Sequence, residues 1–143
     1  MKAAWYENKG PAAQVLRLGE LPDPVPAAGE VRVRVLAAGV SLPDVMMREG
    51  IHPETPALPF TPGWDLVGEV DRLGDGVSGF EPGDRVAALP IHGAYAQFIC
   101  LPQKELVPVP AGLNPAEAVS LIPRNDGVAA PEKQDQDNRE ELT

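Results

Sequence analysis

Residues 63–90, GWDLVGEVDRLGDGVSGFEPGDRVAALP, restrict the fold more than any other stretch of the chain. Leu66 and Val70 alternate with small or charged residues up to Leu73, and after a Pro82-Gly83 turn residues 84–89 form an apolar run. This spacing predicts two strands joined by a corner rich in glycine, at Gly74, Gly76 and Gly79. Gly68 falls inside the first strand, where a glycine predicts a bulge or a close backbone approach. A compact β-barrel or sandwich follows. The stretch holds neither a nucleophile nor a grouped acid and base, so its residues alone lead no further than the fold.

The segments GWDLVGEV, LGDGVSGFEPGDRVA and GAYAQFICLP, in that order and spacing, resemble the GroES-like catalytic domain of the medium-chain dehydrogenase/reductases. The likeness is greatest to their zinc-independent quinone oxidoreductase branch, and it covers residues 1–122. It implies a mainly β fold, a GroES-like partly open β-barrel with two or three short helices. It also implies the substrate side of an NADPH-dependent oxidoreductase acting on small quinones or conjugated carbonyls such as enones. In such enzymes the cofactor supplies the hydride and the protein positions the reactants.

At 143 residues the chain is one domain's worth. A net charge of -9 disfavours nucleic acid and acidic membrane surfaces as partners, because both would repel it. The single cysteine, Cys100, cannot form an internal disulfide, and MKAAWYENKG lacks the apolar run of a signal peptide or membrane span. These features suit a cytoplasmic protein. Seventeen prolines and fourteen glycines suit short strands and tight turns better than a helical bundle.

In chain order, residues 2–6 and 15–21 predict an opening hairpin turned at Gly10-Pro11, and LPDPVPAAG predicts a loop. In VRVRV the valines share one side of a strand, and Arg32 and Arg34 are expected to form a solvated face on the other. Ser41 then caps a short helix, with Asp44 in a capping-box position and Gly50 closing it. Residues 94–101 and 106–110 predict further strands, in which Cys100 is expected to be buried and inert. Asn114, Pro115 and Glu117 mark the start of a late helix.

The candidate chemistry lies around the first of these helices. In the zinc-dependent branch of the family, the residues matching Ser41 and Trp64 are a cysteine and a histidine that serve as ligands. A hydroxyl and an indole are poor zinc ligands, so no zinc is expected. The quinone oxidoreductase branch has an aspartate and an arginine where Asp44 and Arg48 stand, but often an asparagine in place of Ser41. Ser41 and Asp44 read equally well as plain caps or as catalytic groups that orient a carbonyl or contact nicotinamide. Met47, Trp64 and Asp65 are expected to line the substrate pocket, although Met46 and Met47 also suit simple core filling. His52 and His92 fall in loops, where a lone histidine is more often exposed than catalytic. A metal site of Asp65, His92 and Cys100 is a remote alternative without tight spacing.

After Pro123 the sequence carries six acidic and three basic residues and almost nothing apolar, so 123–143 reads as a polar, disordered tail beyond a 1–122 domain. No glycine-rich turn from a strand into a helix, the dinucleotide-binding form of G-x-G-x-x-G, is read in the chain, since Gly74, Gly76 and Gly79 join two predicted strands, and a cofactor-binding residue cannot be assigned. The reading is therefore a substrate-side domain without the family's cofactor domain, inactive alone. It is expected to be monomeric, because the family's dimerising domain is missing. The alternative is a non-catalytic binding or interaction module, or a gene fragment, from the same family. A co-chaperonin would share the barrel but not GAYAQF and GDRVA.

Overall fold

The computed structural model describes residues 1–122; the reading of 123–143 as a disordered tail lies outside the described residues. Strands β1 (Lys2–Tyr6), β2 (Leu16–Glu20), β3 (Glu30–Ala38), β4 (Leu66–Leu73), β5 (Arg85–Ala88), β6 (Phe98–Pro102) and β7 (Val107–Pro108) form two antiparallel sheets. One is the β1-β2 ribbon, and the other has the order β6-β3-β4-β5-β7. Neither closes on itself. The ribbon is tied across by bridges from Ala3 to Ala96 and from Tyr6 to Phe60. Three helices complete the fold: α1 (Ala12–Val15), α2 (Leu42–Glu49) and α3 (Pro115–Ser120).

The alternating valines of β3 put Val31 and Val33 in the core, where they meet Leu66 and Val70 of β4, Val86 of β5 and Leu101 of β6. All six are at most 6% exposed. Non-directional burial of this kind is the main favourable term in folding such a sheet, at about 25 cal/mol per Å² of apolar surface. The β3–β4 register slips twice, between Arg32 and Val33 and between Val35 and Ala37. Gly68 pairs with Val35 beside the second slip, and a Cβ there would strike the Arg34 carbonyl. The close approach expected from its sequence position is present.

The outer face of β3 departs from the expected solvated surface. Arg34 remains half exposed beside Glu69, at 2.5 Å. Arg32, however, is only 15% exposed in its side chain: it pairs with Asp71 at 2.6 Å and lies 4.9 Å from the centre of the Phe98 ring. Cross-strand partners unknown to the local sequence cover it, a mode in which arginine stacks on an aromatic face while its fork binds a carboxylate. The opening hairpin also differs, because residues 12–15 wind into one helical turn before β2 and bury Val15. Residues 94–97 approach the ribbon as irregular chain, and regular pairing begins only at Phe98. Cys100 is half-buried rather than buried, and burial raises its thiol pKa.

Candidate functional site

The site is built on the turn into α2. Ser41 is the N-cap and Asp44 the third helical residue, the arrangement in which a carboxylate reaches back to the cap amide. The Ser41 amide and the Ser41 hydroxyl both donate to Asp44 Oδ2 at 2.9 Å. Gly50, at φ 74°, closes the helix in the left-handed conformation that glycine adopts without strain. The capping expected from sequence is present, but Asp44 does more than cap. Its Oδ1 accepts from the Gly63 amide at 3.2 Å, and the Tyr95 hydroxyl lies 3.4 Å from Oδ2. Asp44 is 4% exposed, so it serves as an internal junction between α2, residue 63 and residue 95.

A second carboxylate braces the same turn. Asp65 is fully buried and accepts from the Gly39 amide at 2.6 Å, and Gly39 in turn accepts from the Tyr95 hydroxyl at 2.9 Å. A Cβ on Gly39 would stand 2.5 Å from Asp65 Oδ1, so only glycine lets the carboxylate come this close. Met47 packs with Tyr6, Val15 and Phe60, and Trp64 and Ile91 cover that cluster from outside. Met47 is thus interior, with 1% exposure, whereas Trp64 is half-buried. The ring of His52, also half-buried, meets Trp64 edge-on at 5.3 Å, while His92 is exposed.

Ser41, Asp44 and Asp65 therefore meet around one turn, joined by Gly39, Gly63 and Tyr95, which the sequence did not single out, while Trp64, next in chain to Gly63, packs on the Met47 cluster. Tyr95 lies within GAYAQF, and its place in that motif was the available signal. Among the described residues, no group of three or more His, Cys, Asp and Glu side chains stands close enough to hold a metal ion. The Asp65, His92 and Cys100 combination is accordingly not assembled. Nor do the described residues fit a dinucleotide: their strands pair only antiparallel, and the N-terminus of α2 is filled by its own capping box. A diphosphate would need a glycine turn from a strand into a free helix start.

The phenols carry a pH signature. Burial, followed by the charge of Asp44, pushes the Tyr95 hydroxyl well above its ordinary value near 10, and burial raises Tyr6 as well. A folded state that holds these protons more tightly is fully stabilised below pH 10 and loses that stability as pH rises past it. These are the only two tyrosines. Absorbance at 295 nm should show Tyr95 un-ionised at pH 10 in the folded chain and Tyr6 less ionised than a free phenol, and urea midpoints should fall above that pH. Free titration of both phenols near 10 would contradict the buried network.

An open antiparallel barrel with this braced turn defines a GroES-like domain of the medium-chain dehydrogenase/reductase type. Residues 27–111 match the alcohol dehydrogenase GroES-like domain, and the chain belongs to that family. It is 37% identical over 106 residues to the mouse synaptic vesicle membrane protein VAT-1 homolog-like, covering 74% of this chain and 25% of that protein. It is 36% identical over 118 residues to mouse quinone oxidoreductase, covering 81% and 35%. The crystal structure of the human VAT-1 homolog-like protein superposes with a TM-score of 0.79 at 35% identity, over 84% of this chain and 38% of that one. The Escherichia coli quinone oxidoreductase complexed with NADPH gives 0.78 at 27% identity, over 85% and 37%. The chain thus spans well under half the length of these relatives. Among the described residues, no helix is long and apolar enough to cross a membrane.

Proposed function

We propose that this chain, as a 1–122 domain with a polar tail, is the substrate side of an NADPH-dependent, zinc-independent reductase of quinones or conjugated carbonyls. It is cytoplasmic and monomeric, and does not turn over NADPH by itself. The observation that carries this reading is the Asp44 junction. At the turn where relatives of the zinc branch hold a thiolate, a hydroxyl is committed to a buried carboxylate, and the space is filled by hydrogen bonds between protein groups. That favours an organising role over metal chemistry. The chain's part is positional: Asp44 and Asp65 lock the turn that presents Ser41, and Trp64 supplies an apolar wall for a flat ring. Positioning of this kind can account for several kcal/mol of a barrier, yet only when both reactants are held.

The absence of a diphosphate cradle among the described residues supports inactivity alone. Incubating the purified chain with NADPH and a panel of quinones and enones should give no saturable oxidation. Saturable turnover abolished by Ser41→Ala or Asp44→Ala would overturn that part of the reading. A binding module unrelated to quinones would be equally silent toward NADPH. Calorimetry with tetramethyl-1,4-benzoquinone separates the two, since only the substrate domain should bind it.

A further inference from the structure

Ile91 is the one non-glycine residue among those described whose backbone sits at positive φ, at 75°. For a β-branched side chain this is a true outlier, costing roughly 1–2 kcal/mol through contact of Cβ with the carbonyl that follows. Such a conformation persists only where the surrounding structure over-determines it. Here it does. Just beyond Ile91, the Gly93 amide donates to Thr61 O at 2.8 Å, the Tyr95 amide to Pro62 O at 3.0 Å and the Ala94 amide to Gly63 O at 3.3 Å. The loop is therefore zipped onto the segment that carries Gly63 and Trp64, the same segment that Asp44 holds from the other side. Gly93, at φ 104°, completes the turn.

The strained backbone has a visible result. It lays the Ile91 side chain on the Met47, Tyr6 and Phe60 cluster, beside which Trp64 also packs, and leaves it half-buried. A glycine or asparagine would take this backbone without strain but could not supply that surface. We infer that Ile91 is a specificity-determining wall of the candidate site, which together with Trp64 sets how large a flat carbonyl compound can lie against that half-buried apolar surface. The inference rests on the quinone and enone reading of the site and adds the residue that sets ring size. A wall that merely fills space in the fold would leave ligand preference untouched.

The test compares a one-ring quinone, tetramethyl-1,4-benzoquinone, with the three-ring 9,10-phenanthrenequinone. Neither has a free quinone-ring position to alkylate Cys100. Dissociation constants for both are measured by calorimetry on the full chain and on Ile91→Gly. Removing a whole aliphatic side chain from a pocket wall should shift the ratio of the two constants by about tenfold or more toward the larger ring, since a single methylene is worth 10-fold or more. Ile91→Asn keeps the left-handed backbone and carries the test should glycine loosen the loop, while Ile91→Val, which removes one methylene, should move the ratio in the same direction by less than Ile91→Gly does. A ratio within about twofold of the parent in both Ile91→Gly and Ile91→Asn overturns the role of Ile91 and leaves the site reading standing. Failure of the parent chain to bind either quinone overturns the site reading and this inference with it.

Discussion

Asp44→Ala is expected to destabilise the domain by about 3–5 kcal/mol, a large share of the 5–15 kcal/mol typical of a whole domain. The carboxylate is 4% exposed and takes the amides of Ser41 and Gly63 and the hydroxyl of Ser41. Truncation leaves these donors inside the protein with no acceptor and no room for bulk water. Each such orphan costs about 1–3 kcal/mol, because it lost its water on folding and gets nothing in return. Asp44→Asn keeps the shape and one acceptor oxygen, so its cost should be clearly smaller. Urea unfolding followed by tryptophan emission gives both numbers. Should Asp44→Ala fall within 1 kcal/mol of the parent, the junction does not brace the turn, and the positional role given to Asp44 fails with it.

Why Asp44 could be named from sequence, while its partners could not, follows from the range of the forces involved. The Ser41, Asp44 and Gly50 signals and the Asn114, Pro115 and Glu117 signals are local: a cap and its box lie within four residues, and both helices begin where those residues place them. The valines of β3 are equally legible, since period-2 alternation depends only on the strand itself. Tyr95, by contrast, reaches Asp44 across 51 residues, and no local pattern encodes that meeting. Arg32 was misread for the same reason, its covering groups being Phe98 and Asp71 on neighbouring strands. Ile91 is a different case. Local propensity argues against a β-branched residue at positive φ, so the sequence points away from the conformation that the tertiary structure imposes. Places where local preference and fold disagree are where strain at a site is to be sought, and here one lies beside Trp64.

Gly63→Ala should cost more than about 4 kcal/mol, a size reserved for a few named mechanisms. Two of them coincide. The residue sits at φ 116°, which L side chains rarely adopt, and a Cβ there would lie 2.7 Å from Ala94 Cβ and 2.8 Å from the Ala94 amide nitrogen. Ala94 is 1% exposed, and its amide is tied to Gly63 O, so it has nowhere to move. Any retreat of residue 63 also lengthens its bond to Asp44 and disturbs the segment bearing Trp64. Gly76→Ala isolates the first mechanism, because Gly76 also has positive φ, at 79°, but an added Cβ meets nothing within 4 Å. It should cost only about 1–2 kcal/mol, the ordinary penalty of the left-handed region. Urea midpoints for the two variants, or soluble yield if Gly63→Ala does not fold, measure the contrast. Equal losses at the two positions would mean that the 61–63 and 93–95 strips are not locked together, and that the backbone holding Ile91 in place is softer than its geometry implies.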